Sequence, residues 1–318
     1  MKPILSICIP TYNRASYLEK TIDSIIKTNE FKCGKIEVVV SDNCSNDSTE
    51  LLLKRYNGFS NISYRRNDKN VLDGNFFRAI KAGRGLVRKL WNDTLIMNPK
   101  WAEYVCDLVG KLSNHRPLLF FTNKGDYDCA YMDANEFVDS ERELVTWIGG
   151  FAVWENQCEL LDEEGVDLHL WQTVQIFKLL QDMNRVVVVN GDMATINAVK
   201  RKNVSYGIYK VFYHNFIEII LEKQVRNSLI TLKTYEHVRR AMLYEFFSSM
   251  ILDYENTHSC SFTYSSEENL IVDLQKKYCK ERYYDDFLRY LCWQRLNREN
   301  KWNRSVYKIY YKLRHLFG

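Results

Sequence analysis

The sequence predicts an α/β fold in which helices cover a doubly wound, mostly parallel sheet, followed by a helical extension at the C-terminus. Two observations carry this prediction. Over the first hundred residues, short and almost wholly apolar runs alternate with stretches of helical periodicity, the pattern of strands buried on both faces. From about residue 210 onward, the pattern is helical, aromatic and increasingly basic.

The first hundred residues contain four predicted strands with helices between them. The strands are “ILSICIP”, “KIEVVVSDN”, “NISYRRN” and “GLVRKLWND”. The helices are “ASYLEKTIDSIIKT”, “DSTELLLKRY”, with Asp47 or Ser48 as its N-cap, and “GNFFRAIKA”. This order predicts a parallel sheet whose ligand lies at the carboxyl edge of the strands.

Beyond residue 100 the pattern is looser. Helices are expected at “WAEYVCDLVGKL” and “LWQTVQIFKLLQDM”, and strands at “PLLFFTN”, “TWIGGFAVWEN” and “RVVVVNG”. The Gly pair in the second of these strands indicates a close approach of the backbone to another group.

Composition limits the classes of function. The 318 residues are 46 % hydrophobic and carry 44 basic against 40 acidic side chains, so the chain is globular and its charge gives no footprint for nucleic acid. Nine cysteines without a C-x-x-C pair favour reduced thiols in a cytosolic protein. We expect neither a secretion signal nor a membrane-spanning segment, because the apolar runs are too short.

Polar residues concentrate where three of the predicted strands end. “PTYNR” follows the first strand, “SDNCSNDST” the second, and Asn92, Asp93 and Thr94 the fourth. Turn formation or helix capping accounts for each group alone, but at three carboxyl edges of one sheet they converge on one crevice. The glycine motifs that cradle phosphates in dinucleotide folds and P-loops are absent. A divalent cation near Asp93 would neutralise phosphates instead, and Asp42 could accept hydrogen bonds from a base or a ribose.

Four blocks of the sequence resemble, in order and spacing, those of family-2 glycosyltransferases with the GT-A fold, a Rossmann-like sheet. They are “SICIPTYNRASYLEKTIDSI”, “EVVVSDNCSNDST”, “RRNDKNVLDGNFFRAIKAGRG” and “LWNDTLIMNPKW”. The resemblance implies an inverting enzyme that moves a sugar from a nucleotide-diphosphate donor to a hydroxyl of a glycan or lipid-linked acceptor, in bacterial capsule or O-antigen synthesis. It also implies a catalytic domain over 1–210, with a donor half over 1–100 and an acceptor half over 101–210, and a helical, basic region over 211–318.

The resemblance also implies a set of residues that bind the nucleotide-sugar. Asn70 and Gly74 fall in an N-x-x-x-G-like block beneath the donor, and Arg66 and Lys69 are candidates for the phosphates. The full expected set is Pro10, Thr11, Tyr12, Asn13, Arg14, Asp42, Arg66, Lys69, Asn70, Asn92 and Asp93.

The metal position departs from the family pattern. Counting back from Pro99, the usual metal-binding acid falls at Thr94, and the acid before it falls at Asp93. This departure has three possible interpretations. Asp93 replaces the usual acid as ligand of Mn²⁺ or Mg²⁺; or Thr94 supports the cation through its hydroxyl or a water; or metal dependence is lost. We favour the first interpretation, because uncompensated donor phosphates would be costly. A non-catalytic sugar-nucleotide or glycan-binding module remains the alternative, whereas a nucleotidyltransferase is disfavoured because its basic glycine-rich loop is absent.

The general base is expected just before the helix “LWQTVQIFKLL”, although the family's usual E-D doublet is absent there. The candidates are Asp162, Glu163, Glu164, Asp167 and His169. Asp167 ranks first and His169 second. His214, on an aromatic face, is expected to pack in the core.

The C-terminal residues 295–318 form a basic amphipathic pattern. Such a helix either lies on an anionic membrane surface or packs on the domain with a solvated basic face. The first alternative would place a cytoplasmic enzyme at the inner face of the plasma membrane.

Overall fold

The computed structural model describes residues 2–197, 207–257 and 269–297. The chain divides into two compact units. The first comprises Met1–Arg201 with Val211–Val238, and the second comprises Lys202–Lys210 with Arg239–Gly318. The basic residues 298–318 lie outside the described residues, so the membrane-binding hypothesis stays a prediction.

The first unit contains an eight-stranded mixed sheet and a two-stranded ribbon. The strands are β1 (Leu5–Thr11), β2 (Ile36–Asp42), β3 (Ile62–Arg66), β4 (Val87–Leu90), β5 (Leu95–Met97), β6 (Leu118–Phe121), β7 (Cys129–Met132), β8 (Phe151–Trp154), β9 (Val186–Val189) and β10 (Ala194–Ile196). The large sheet has the order β3-β2-β1-β4-β8-β6-β9-β7, and β10 pairs with β5.

Helices connect and cover these strands. They are α1 (Ala15–Ile26), α2 (Asn29–Lys32), α3 (Thr49–Lys54), α4 (Gly74–Ala82), α5 (Pro99–Leu112), α6 (Ala134–Glu141), α7 (Trp171–Met183), α8 (Glu222–Arg226), α9 (Leu232–Ala241), α10 (Ser248–Thr257), α11 (Leu270–Tyr278) and α12 (Tyr284–Asn297). Two π-helical segments, Tyr209–Leu221 and Met242–Phe247, add to the helical region.

The predicted fold class is confirmed. Strands β1 to β4 pair in parallel, and β6 pairs in parallel with β9. Strand β8 enters between β4 and β6 and runs antiparallel to both, while β7 is an antiparallel edge strand. β1 and β2 are buried along their whole length, as their apolar sequence predicts for central strands.

The prediction of a continuous strand over “TWIGGFAVWEN” is wrong in its first half. Arg142–Thr146 and Ile148–Gly150 form two 3₁₀ turns, and only Phe151–Trp154 is extended. A Cβ on Gly149 would lie 2.5 Å from the Trp147 ring, and one on Gly150 would lie 2.4 Å from the Phe120 ring. The Gly pair therefore allows two aromatic rings to pack directly on the backbone.

The described residues of the second unit are mostly helical. Arg239 donates to Glu281 at 2.6 Å, and its guanidinium lies 4.5 Å from the centroid of the Tyr278 ring. Tyr278 in turn donates to the carbonyl of Arg239 at 3.0 Å, so these two residues of the second unit contact each other through a hydrogen bond and a cation–π contact. Among the helices of the described ranges, none is long and apolar enough to cross a bilayer.

Candidate active site

The ends of β1, β2 and β4 meet at one edge of the sheet because the three strands are parallel neighbours. Hydrogen bonds between backbone groups continue just past the strands. Asn43 N–H donates to the carbonyl of Thr11 at 2.9 Å, and Asn67 N–H donates to that of Asp42 at 2.9 Å. The side chains of Thr11, Asp42 and Asp93 are thereby brought to this edge, as parallel pairing predicts.

Asp93 is a buried acid whose two side-chain oxygens are both hydrogen-bonded. Its side chain is 3 % exposed, and Thr11 Oγ1 donates to Oδ2 at 2.8 Å. Arg14 Nη1 forms an ion pair with Oδ1 at 2.8 Å, and Thr21 Oγ1 donates to the backbone carbonyl at 2.9 Å. Three expected site residues, Thr11, Arg14 and Asp93, therefore form one hydrogen-bonded group.

Asp93 is the expected metal ligand, but both of its side-chain oxygens already accept hydrogen bonds, one from Thr11 and one from Arg14. The neighbouring Asn92 Oδ1 is buried without a hydrogen-bond partner, and Thr94 is 8 % exposed. In the part of the chain that the structure describes, no group of three His, Cys, Asp or Glu residues could hold an ion. One carboxylate, one free amide oxygen and one hydroxyl are hard donors, which fit Mg²⁺ or Mn²⁺ when donor phosphates supply the remaining ligands.

Asp42 is fully buried and supports the loop that follows β2. Its Oδ1 accepts from Ser45 N–H at 2.8 Å, and its Oδ2 accepts from Tyr64 Oη at 2.9 Å and from Arg66 Nη1 at 3.2 Å. Burial, together with the hydrogen bond and charge of Asp42, raises the pKa of Tyr64 to about 12. A contact of Asp42 with a base or a ribose stays a prediction, and it would have to coexist with these three bonds.

A network of asparagines joins this loop to the start of α4. Asn43 Nδ2 donates to Asn70 Oδ1 at 2.8 Å, Asn67 Nδ2 to Asn75 Oδ1 at 2.9 Å, and Arg78 Nη1 to Asn67 Oδ1 at 2.9 Å. Sequence analysis named only Asn70 of this set. The other asparagines stand in a turn or next to Gly74, so the density of amides in “SDNCSND” and “RRNDKN” was the available signal.

The residues after β1 leave one aromatic ring in solvent. Pro10 is buried at the end of β1, whereas Tyr12 is 41 % exposed. Asn13 has a left-handed backbone with φ 54°, and its Oδ1 accepts from Asn46 N–H at 2.8 Å. This bond ties the loop after β1 to the loop after β2 and leaves Tyr12 at the surface.

Asp47 fixes the same two loops to the helices that follow them. Its carboxylate accepts from the N–H groups of Ala15 and Thr49, both at 3.0 Å, so Asp47 rather than Ser48 supplies the capping bond of α3. Burial opposes its ionisation, but the hydrogen bonds from Thr49 and Ala15 outweigh burial and lower the pKa of Asp47. The remaining phosphate candidates, Arg66 and Lys69, are both exposed.

The two candidates for the general base differ in their surroundings. Asp167 is exposed on the loop before α7. His169 is 19 % exposed, has a left-handed backbone with φ 55°, and places Nδ1 3.9 Å from Asp73 Oδ1. Because Asp73 is the residue before α4, the structure brings His169 next to the start of α4, in the half of the unit that the sequence predicts to bind the donor. Phe77 of α4 and Trp171 of α7 pack with ring centroids 5.9 Å apart beside this contact.

Two further candidates for the general base, Asp162 and Glu164, form ion pairs with lysines. Asp162 pairs with Lys178 at 2.6 Å and Glu164 with Lys223 at 2.7 Å, both at the surface. The expectation that His214 packs in the core is wrong. Its side chain is 50 % exposed and its Nδ1 lies 2.9 Å from a Glu218 oxygen four residues later, so a polar partner holds it on the outer face of its helix.

Comparisons with known proteins agree with this geometry. Residues 6–115 match the profile of glycosyl transferase family 2. Over 85 residues, 26 % of the chain, the sequence is 40 % identical to abequosyltransferase RfbV of Salmonella typhimurium. The matched stretch spans about a quarter of that relative's length, since it covers 25 % of it.

Two groups of solved structures share the fold. S. aureus TarS in complex with UDP-GlcNAc superimposes with a TM-score of 0.56 and 19 % identity, over 80 % of this chain and 78 % of that one. Mannosyltransferase PcManGT from Pyrobaculum calidifontis, in complex with GDP-Man and Mn²⁺, gives a TM-score of 0.54 and 13 % identity, over 93 % of this chain and 88 % of that one. At these identities the likeness establishes the fold, which is GT-A. The stretch 6–115 is thus similar to glycosyl transferase family 2, and the four sequence blocks and most of the parallel β1–β4 core lie within it.

Proposed function

We propose that the chain is an inverting glycosyltransferase that moves a sugar from a nucleotide-diphosphate donor to a hydroxyl of a glycan or lipid-linked acceptor, in the synthesis of a bacterial capsule or O-antigen. The observation that carries the proposal is the bonded group of Thr11, Arg14 and Asp93 at the carboxyl edge of the sheet. A guanidinium at this edge can pair with a nucleotide diphosphate directly, and an acid beside it can hold a cation that neutralises the phosphates.

Binding of the donor is assigned to the loops after β1 and β2. The exposed ring of Tyr12 offers a face on which a base can stack. Arg66, which is paired with the buried Asp42, and the exposed Lys69 carry positive charge for the phosphates. A donor phosphate would compete with Asp93 for the guanidinium of Arg14. Exchange of Arg14 from Asp93 to phosphate would free a carboxylate oxygen when the donor arrives.

A divalent cation, when bound, would neutralise the leaving diphosphate. Asp93, the free Oδ1 of Asn92 and the hydroxyl of Thr94 would hold it on the protein side. The family pattern has an acid at the position of Thr94, so this chain offers less negative charge to the ion. We therefore expect metal to bind together with the nucleotide rather than before it.

Deprotonation of the acceptor hydroxyl is assigned to His169, with Asp167 as the second candidate. His169 lies 3.9 Å from Asp73, whose carboxylate would stabilise the imidazolium formed when the acceptor proton is taken up. Asp167 is exposed on the loop before α7, so the structure holds it less firmly in place for this role.

A second candidate function is a binding module that keeps the nucleotide site without catalysis. The Arg14–Asp93 ion pair and the threonine at position 94 favour it, since both reduce the affinity for a cation. A panel of UDP-, GDP-, TDP- and CMP-sugars, assayed for donor hydrolysis with and without Mn²⁺, separates the two functions. Hydrolysis of one donor that is lost in Asp93→Asn supports the transferase. Tight binding of a nucleotide with no turnover of any donor supports the binding module.

A further inference from the structure

Lys89 is an unusual residue for the centre of a sheet. It lies in β4 and is 0 % exposed, and its Nζ donates to the carbonyl of Gly149. Three aromatic rings surround the amine, with centroids at 4.6 Å for Phe121, 5.7 Å for Trp91 and 5.9 Å for Trp101. Burial holds the pKa of Lys89 well below its ordinary value.

Burial of this amine costs free energy, because the charged form loses its hydration. Among the residues described by the structure, no carboxylate forms an ion pair with Lys89, so desolvation is opposed only by Gly149 and the ring faces. Leu or Met would fill the same apolar space without that penalty, as the neighbouring Val87 and Leu90 do. The lysine therefore contributes something that an apolar side chain cannot, and its hydrogen bond to Gly149 is the available contribution.

Gly149 lies on the side of β4 where the site is. Lys89 is opposite Ala152 in the antiparallel pair of β4 and β8, so residues before Ala152 run towards the edge at which Asn92 and Asp93 lie. Gly149 belongs to the short 3₁₀ turn that precedes β8. The amine thus reaches along β4 from the core and holds the backbone of a turn that borders the site.

The turn has few other bonds of its own. Gly150 N–H donates to the carbonyl of Trp147 at 3.0 Å, and Phe151 N–H donates to that of Ile148. A Cβ at Gly149 would meet the Trp147 ring, so the position of this backbone also sets the position of that ring. A shift of the Gly149 carbonyl would move the whole turn, because its bonds are local.

We propose that Lys89 is a positioning residue: its amine holds the Gly149 carbonyl and so fixes the Trp147–Gly150 turn beside Asn92 and Asp93. The inference rests on the proposed function only in that it makes this turn a wall of an active site. The hydrogen bond and its effect on the turn are independent of any reaction. A measurement on the unliganded chain can therefore test the clamp even if no donor is ever found.

Hydrogen exchange of the backbone amides tests the clamp in Lys89→Met, which keeps the length of the side chain and removes the donor. We expect the amides of Gly150 and Phe151 to exchange at least about tenfold faster than in the wild type, with those of β1 and α1 unchanged. Lys111→Met, at an exposed lysine in the last turn of α5, is the matched control and should change neither region. Unchanged exchange in the turn would overturn the proposal.

A second readout distinguishes positioning from general support of the fold. The dissociation constants of UDP and GDP should change by less than about twofold in Lys89→Met, while hydrolysis of a donor that the wild type accepts falls by about fivefold or more. Faster exchange in the turn without an effect on hydrolysis would confirm the clamp and overturn its role in the site. If neither Lys89→Met nor Lys89→Leu folds, Lys89 is a requirement of the core, and the proposal is wrong.

Discussion

The donor half of the first unit and the half that follows α5 hold their candidate site residues in different ways. At the ends of β1, β2 and β4, acids are paired inside the protein, with Asp93 bound to Arg14 and Asp42 bound to Arg66. Before α7, Asp167 is exposed, and His169 reaches Asp73 from a loop with a left-handed backbone. The candidate binding residues are thus fixed by short polar bonds at strand ends, whereas the candidate base depends on the packing of α7 against α4.

This difference has a consequence for substitutions. Removal of an acid from the donor half leaves an arginine without its partner and disturbs folding as well as binding. Removal of a loop residue before α7 leaves the sheet untouched. Substitutions in the first region should therefore change stability and activity together, and those in the second should change activity alone.

The largest effect is expected from Asp93→Asn, which keeps the shape of the side chain and removes its charge. We expect turnover of donor to fall by about 100-fold or more, because a principal charge of the diphosphate site is lost. The free energy of unfolding should fall by about 1–3 kcal/mol, since the buried bonds to Thr11 and Arg14 are weakened. Steady-state kinetics and urea unfolding measure the two quantities.

Glu103→Gln, at an exposed acid on α5, is the control and should leave both quantities unchanged. Loss of turnover without loss of stability would break the comparison, because it would show that the ion pair with Arg14 does not hold the donor half together.

The next effect concerns the base. His169→Asn should lower kcat by about 100-fold or more, as expected for loss of a general base, with little change in nucleotide affinity or unfolding free energy. Asp167→Asn should stay within about threefold of the wild type. Rates for both variants with one donor, together with calorimetric titration of UDP or GDP, give the answer. The reverse ranking would return the role to Asp167.

Much of the donor half could be predicted because its signals are local. Apolar runs and helical periodicity indicate β1 to β4 and their helices, and parallel order brings Thr11, Asp42 and Asp93 to one edge. The pairing of these residues with one another could not be predicted, since the bond between Arg14 and Asp93 joins positions 79 residues apart. Local patterns determine where a side chain lies along the chain, but not which partner it meets.

Three features of the structure could not be predicted, because they depend on contacts between residues that no local sequence pattern contains. β8 enters between β4 and β6 in the antiparallel direction, which no apolar run can indicate. Lys89 lies in a strand that its sequence predicts to be buried. No sequence pattern indicates that its amine donates to the carbonyl of Gly149. His214 is similar, because its partner Glu218 and not its aromatic neighbours decides its position.

A smaller effect is expected from Thr94→Asp, which adds a carboxylate where the family pattern has one. Mn²⁺ should bind about tenfold more tightly in the presence of UDP, because a second charge at a hard-cation site raises affinity. Calorimetric titration of Mn²⁺ in saturating UDP measures the change, and Thr94→Asn serves as the control of equal shape without charge. Equal affinity in the two variants, or full activity of the wild type in excess EDTA, would show that Asp93 does not hold a cation.

The smallest effect concerns Tyr64, which tests how tightly the donor half holds its buried acid. Tyr64 donates to Asp42, and its pKa is raised to about 12, so the folded chain keeps a proton that the unfolded chain loses near its ordinary pKa of about 10. The stabilisation is therefore fully present below about pH 10 and is lost as the pH rises towards about 12. Tyr64→Phe removes both the bond and the titration, so the wild type should be more stable by about 1 kcal/mol at pH 8, and this advantage should shrink steadily between pH 10 and 12. Urea unfolding across this pH range measures the difference in stability between the wild type and Tyr64→Phe. Tyr131→Phe, at a tyrosine that is 55 % exposed on β7, is the control. A constant difference between wild type and Tyr64→Phe would mean that Asp42 does not depend on Tyr64, and that Arg66 and Ser45 alone hold the acid at the end of β2.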